Sequence, residues 1–432
     1  MIFFVYYLAA LVLVAAEMRG LLRSQVIATP KFSGTVWVLI LVVSYALEVA
    51  ICGFLAKSGP WPFAVVQWRK GGAVFIAALL AIGLLQSYAL LGLYRTRTWP
   101  SGIEIGAAMM LLISFAPVLS NADVYAYAGD ALLGRAAYAP PAIPFSGDLG
   151  AINVFWHAPM PPTTYGPLWL AVAHAVTEPF GTLVLKLYAL RGLGAVLFGA
   201  FLLLLRGFGV SPRLLAVVAV NPALYFEFVL NAHNDLLPAS VCVAAAIVAA
   251  ALPWLAALLI AIAALVKAPF ALLGLPVLAR VKSPALRWMC VALSVAAALA
   301  ASWYAGRMPY VRALEQHASS SGLETWLHVV AIVAAIGAVF AAIWGAHRLR
   351  SAVWLLPLIG AYTAPWYALW SVPYAVGERR VLAYLAIWFP FVAVLVEPSF
   401  ARLWTVAVVV PAAVILSLKL SRSERQLQGG PS

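Results

Sequence analysis

Charge is what this chain has least of. Only 9% of its 432 residues are Asp, Glu, Lys or Arg, while 65% are hydrophobic. A soluble surface needs several times that charge, so a soluble globular domain of this length is excluded. With a mean hydropathy of +1.00, the chain reads as a polytopic membrane protein. Cysteine is scarce too. Cys52, Cys242 and Cys290 all lie inside apolar runs, which excludes a disulfide framework and a thiolate metal cluster and leaves three small core hydrophobes. Acid is scarcer than base: 14 Asp and Glu stand against 27 Lys and Arg, a net charge of +13. That excess does not imply a nucleic-acid partner. The basic residues fall in short clusters between apolar runs, which is the positive-inside pattern. The opening stretch MIFFVYYLAALVLVAAEMRGLLR has no basic n-region and no small-residue cleavage site. It reads as a first membrane helix and not as a removed signal peptide.

Apolar runs predict helices near 2–16, 34–56, 73–94, 100–119, 184–205, 214–230, 236–252, 254–279, 288–304, 325–346, 351–377, 381–396 and 402–419. The fold class expected is an all-α bundle of about 13 transmembrane helices, one domain over residues 1–432, without a separate soluble domain or a clear internal repeat. Two helices are expected to break, at Pro269 and Pro276 and at Pro365 and Pro373, because proline removes a backbone donor and clashes with the preceding turn. One long polar loop, 120–165, stands out. The next stretch, 166–176, is apolar but too short to span and is expected to lie in the interface as a juxtamembrane helix. The external catalytic loop then runs over about 120–183. This places Arg206 and Arg213, Arg280 to Arg287, and Lys419 to Arg425 inside, and the 120–165 loop outside. Lys57, Arg69 and Lys70 run against that orientation.

The chain has four aspartates, Asp123, Asp130, Asp148 and Asp235. The first three fall in or just after SNADVYAYAGDALLGRAAY, residues 120–138. A carboxylate held at the membrane edge suits general base work on a hydroxyl, and Tyr125 and Tyr127 offer sugar-stacking faces and hydroxyl donors. Asp130 and Arg135 follow as further polar contacts; an ordinary interfacial loop is the competing reading. A second cluster, NPALYFEFVLNAHNDLLPA, crowds Glu227, Asn231, His233, Asn234 and Asp235 between two helices. Helix capping accounts for Asn234 or Asp235 but not for His233 and Glu227 as well, so a functional cluster is favoured. A divalent metal is chemically possible there, yet no repeated ligand spacing indicates one, and no cofactor is expected. His157 and Tyr165 lie in WHAPMPPTTYGPLW, a proline-stiffened approach to the juxtamembrane helix. Trp366, Tyr367 and Trp370 surround a proline break, where an aromatic belt competes with a sugar or prenyl site. Arg191 and Lys267 are cations inside apolar runs, where a charge calls for an anion such as a lipid phosphate.

In order along the chain stand Asp-Val-Tyr-x-Tyr, Gly-x-x-x-Tyr-x-Pro, Thr-Tyr-Gly-Pro-Leu-Trp, Asn-Pro-Ala-Leu, His-Asn-Asp and Pro-Trp-Tyr-x-x-Trp. This order resembles the GT-C superfamily of membrane glycosyltransferases, and within it the polyprenol-phosphate-mannose-dependent mannosyltransferases of actinobacterial lipoglycan synthesis. Asp148 belongs to none of these blocks. The resemblance implies inverting transfer of mannose or another hexose from a polyprenyl-phosphate donor to a glycan or glycolipid acceptor. The reaction would take place on the outer face of the cytoplasmic membrane. Carried over by position, Asp123 is the catalytic base, and His233-Asn234-Asp235 is a second external acidic site that orients acceptor or donor phosphate. Arg191 and Lys267 are the cations expected at that phosphate. The expected partners are the lipid-linked sugar, the acceptor and membrane lipid. Two other classes compete: a transporter or flippase for a polyprenyl-linked or amphipathic solute, for which Glu48 within a helix is the best argument, and a non-catalytic assembly subunit.

Overall fold

The computed structural model describes residues 32–56, 63–67, 72–96, 100–142, 145–156, 159–320, 343, 369–370, 372 and 379–396. Their secondary structure is mostly helical, and the two strands among them are two residues long. Helices α1 (Gly34–Leu55) and α2 (Gly72–Arg95) pack side by side. The Ser33 hydroxyl accepts from the Val36 backbone N–H and so caps α1. At 22 residues, α1 is about 33 Å long, enough to cross a bilayer core.

α3 (Ile103–Ile113) stops short of the run expected to 119. Pro117 cannot continue the ladder, and the chain extends into β2 (Val118–Leu119), which pairs in parallel with β1 (Ala64–Val65). This small pairing sits directly before the aspartate-rich stretch. The segment expected as one polar loop contains helix: α4 (Asp123–Leu133), a 3-10 turn over Gly134–Tyr138, and α5 (Gly150–Phe155). The alanines of DVYAYAGDALL explain it, since alanine has the highest helix propensity and α4 buries most of its length. α6 (Pro167–Thr177) is the expected short apolar helix; 11 residues give about 16 Å, too little to cross.

α7 (Leu183–Gly207) is long and capped by Thr182. α8 (Pro212–Ala219) and α9 (Pro222–Tyr225) follow, the latter running on as a π-helical turn over Phe226–Leu230. This pair is bent by 52° where one helix was expected. Pro222 opens the second half, and the Asn221 side chain accepts from the Ala223 N–H. α10 (Leu236–Val248) and α11 (Pro253–Val266) form a hairpin. α11 ends at Lys267, which is extended, and Pro269 starts a short turn, α12 (Phe270–Leu273). The break expected at Pro269 is there. α13 (Pro284–Ser320) outruns its expected length and kinks at Arg307, two residues before Pro309. α14 (Arg379–Val396) packs on α2.

Among the described residues, four helices are long and apolar enough to cross a membrane, or five with the bent pair, which does not confirm the expected count of about 13. The runs near 100–119, 236–252 and 254–279 fold as shorter helices. Those near 2–16, 325–346, 351–377 and 402–419 lie wholly or mostly outside the described residues. Two large apolar clusters organise the described residues. The larger lies among the long helices. The smaller is built from Phe63, Tyr125, Tyr127, Ile152, Trp169 and Leu187 with their neighbours, under the segment before and after α4.

Candidate functional site

Asp123 is the first residue of α4, and its side chain is 17% exposed. Its backbone N–H donates to the side-chain oxygen of Asn121 at 3.1 Å, an Asx turn that holds the carboxylate at the helix start. The residue before that, Ser120, is anchored across 111 positions. Its N–H donates to Asn231 Oδ1 at 2.9 Å, and Asn231 Nδ2 donates to its hydroxyl at 2.7 Å. These bonds tie the two polar stretches into one site.

Beyond Asn231 the chain turns sharply. Ala232 has a φ of +53°, a conformation unfavourable for a residue with a Cβ, and backbone strain of this kind gathers at functional sites. The turn brings His233 between two carboxylates. Nδ1 lies 3.4 Å from Asp123 Oδ2, and Nε2 lies 3.4 Å from Glu227 Oε2. The side chain of His233 is fully buried and that of Glu227 is 1% exposed. Glu227 is delivered by the π-helical turn, a feature common at functional positions. Burial pushes the imidazole pKa down, but the hydrogen bonds and charges of Asp123 and Glu227 outweigh it and raise the ring from 6.5 to about 9. The Asn121 amide nitrogen also lies 2.9 Å from Nε2. It donates to a neutral ring; turned over, its oxygen accepts from a charged one.

Asp235 occupies the position before α10, yet its side chain does not cap the helix. One carboxylate oxygen accepts from Lys267 Nζ at 2.7 Å and from the Trp370 indole N–H. Lys267 stands 5.1 Å from the Trp370 ring centre and 5.6 Å from that of Tyr165. Lys267 also meets Tyr165 through a backbone bridge, and the Gly166 N–H donates to Val266 at 3.0 Å. Gly166 is required there, because a Cβ would fall 2.0 Å from the Leu265 carbonyl oxygen. Asn234 is 1% exposed, and neither end of its amide has a hydrogen-bond partner among the described residues.

The other candidates are placed as follows. Tyr127 is buried beside Tyr165, hydroxyl to hydroxyl at 3.4 Å, and against Trp169. Tyr125 is buried, and its hydroxyl donates to the Phe63 carbonyl at 2.8 Å, so it braces β1. Asp130 is buried, and burial pushes its carboxyl up to about 7 despite the Thr163 hydroxyl that donates to it at 2.8 Å. Arg135 is exposed on the 3-10 turn. Arg191 is fully buried, and its guanidinium donates to the carbonyls of Leu230, Ala116 and Val118 at 2.7, 2.6 and 2.5 Å. Those donors are committed to the fold and are not presented to a phosphate. His157, Trp366 and Tyr367 lie outside the described residues.

Sequence reasoning passed over Asn121, and it placed Asn231 in the polar cluster without its partner. Asn121 had a signal, an asparagine two positions before an aspartate at a helix start; the Ser120 partner of Asn231 lies 111 residues away and left none. Asp148, which fitted no motif, accepts from the Leu183 N–H at 2.6 Å and fastens its loop to the start of α7. Among the described residues, no group of three or more His, Cys, Asp and Glu side chains is arranged to hold a metal ion. The two nitrogens of His233 point in opposite directions, so Asp123 and Glu227 do not converge on one ion with it.

Residues 20–282 match the family model for the N-terminal domain of alpha-(1->6)-mannopyranosyltransferases, which covers more than half of the chain. No curated protein and no solved structure matches the chain.

Proposed function

The chain belongs to the alpha-(1->6)-mannopyranosyltransferase family, and from that premise we propose that it moves a mannosyl unit from a polyprenyl-phosphate donor to a glycan or glycolipid hydroxyl at the outer face of the cytoplasmic membrane, with inversion and with Asp123 as general base. The observation that carries this reading is the setting of Asp123. It is the one partly exposed carboxylate of a cluster whose other members, His233, Glu227 and Asp235, are buried. A substrate hydroxyl reaches Asp123 before any of them.

The chemistry follows. The acceptor O–H bond breaks and its proton passes to Asp123. The freed electron pair forms the new bond to the anomeric carbon, and the bond from that carbon to the phosphate oxygen breaks. The leaving phosphate keeps its electron pair and needs a cation more than an acid. Lys267 is the candidate cation, held among aromatic rings by Asp235. Tyr127, Tyr165, Trp370 and Asn234 surround the same region and suit a sugar ring. Short and broken helices beside long ones suit a lipid-linked donor.

The test uses purified protein in nanodiscs, radiolabelled polyprenyl-phosphate mannose and a crude envelope lipid extract as acceptor, with and without EDTA. Wild type should transfer label. Asp123→Asn should lower the rate by at least about 10²-fold, the range for loss of a general base, while its melting curve stays that of wild type. Undiminished transfer by Asp123→Asn rejects Asp123 as the base, and the EDTA lanes decide the metal question.

A further inference from the structure

Resting on the reading of Asp123 as base, we propose that His233 and Glu227 are positioning residues that hold Asp123 as a buried Asp–His–Glu triad, rather than contacts to the substrate. The acceptor hydroxyl must approach the exposed side of Asp123. His233 stands on its buried side, 3.4 Å from Oδ2, and the opposite ring nitrogen stands 3.4 Å from Glu227 Oε2. With one oxygen of Asp123 held, the other is presented to the acceptor. A substrate has no room at His233, whose side chain is fully buried between the two acids.

The groups around the triad fit this role. Asn121 lies 2.9 Å from Nε2; beside a charged ring its amide turns over, so that its oxygen accepts from Nε2 instead of from the Asp123 N–H. Glu227 faces a small cavity of about 10 Å³, the room of a single water. Glu48 of α1 lines the same cavity and accepts from Gln86 of α2 at 2.9 Å. The nearby Asp235 and Lys267 are paired with each other. Among the described residues, two carboxylates and no unpaired cation face the imidazole, and they keep it charged well above its ordinary range. The charged ring turns an N–H toward each acid, 3.4 Å away on either side. A neutral ring has one N–H and releases one of them.

The consequence is a kinetic limb that Glu227 controls. As pH rises through about 9 the ring loses its proton, Asp123 loses its clamp and kcat should fall. Removing the Glu227 charge lowers the ring pKa and moves that limb toward neutral pH. The experiment measures kcat and KM from pH 6 to 10 for wild type, Glu227→Gln, Glu227→Asp and Asp123→Asn, with polyprenyl-phosphate mannose as donor and a short alkyl mannoside as acceptor. The limb of Glu227→Gln should lie at least about one unit lower, so that kcat at alkaline pH falls roughly ten-fold with both KM values unchanged. Glu227→Asp should restore the limb. An unshifted limb in Glu227→Gln, or a loss confined to KM, overturns the triad. If Glu227→Gln does not fold, His233→Asn decides: its profile should lack the limb near pH 9, and a retained limb overturns the proposal. Full transfer by Asp123→Asn sinks the base assignment itself. An inactive Asp123→Asn beside an unshifted Glu227→Gln sinks the triad alone.

Discussion

Lys267 and Asp235 show how a single residue can be read in two ways. The Lys267 side chain is 10% exposed, that of Asp235 is fully buried, and they meet at 2.7 Å. A buried pair adds little net stability, because desolvating both ions offsets their attraction, but leaving one ion alone is costly. Lys267→Met should therefore destabilise the protein by about 3–5 kcal/mol, seen as a lower melting temperature in detergent. Lys267→Met with Asp235→Asn should regain most of that loss while transfer stays low. If the double variant melts as low as the single one, the pair is not what holds this corner. The sequence placed Lys267 correctly at a break beside Pro269 and marked it as a charge wanting an anion. It could not show that Asp235 already supplies one, because their contact spans 32 positions. The same reasoning separates Arg191 from Lys267. Both are cations in apolar runs, but three backbone carbonyls near the ends of α3, β2 and the π-helical turn each take a donor from one of the three Arg191 nitrogens.

At the scale of elements, the π-helical turn over Phe226–Leu230 sets the position of Glu227 and, past Ala232, of His233. α7 packs against this turn, and Gly194 is the point of closest approach: a Cβ there would lie 2.1 Å from the Phe228 carbonyl oxygen. Neither backbone can yield cheaply. Gly194→Ala should destabilise by on the order of 3 kcal/mol, in the range of overpacked cores, and should lower transfer because the turn carries the triad. Gly192→Ala, two residues away with open space at its Cβ, is the control and should keep wild-type melting and activity. Equal behaviour of the two variants would mean that the turn is not held from α7. Element positions were legible where an apolar run ended at a proline or a cap, as at Pro167, Pro212 and Pro269. They were not legible in residues 120–165, where polar residues hid the helix α4. Nor were they legible around Val118, where a two-residue strand gives no periodicity to read.

For the whole molecule, the question is which side of the membrane Asp123 faces. Asp148 fastens the segment after α4 to the first residue of α7, and Arg206 lies at the other end of that helix. At 25 residues α7 is about 37 Å long, enough to cross a bilayer core, so a spanning α7 would put the α4 region and the Arg206–Arg213 turn at opposite membrane surfaces. The positive-inside rule predicts Arg206 and Arg213 in the cytoplasm and hence, in the orientation proposed above, Asp123 on the outer side. Cysteine labelling checks this with little background, because Cys52, Cys242 and Cys290 are buried. Ala136 and Arg213 are both exposed. Ala136→Cys should react with a membrane-impermeant maleimide on intact cells, and Arg213→Cys only after permeabilisation. The opposite pattern would place Asp123 in the cytoplasm, where soluble nucleotide sugars are at hand, and would remove the reason for a lipid-linked donor. The expected pattern leaves the base on a surface that only a membrane-borne sugar can supply.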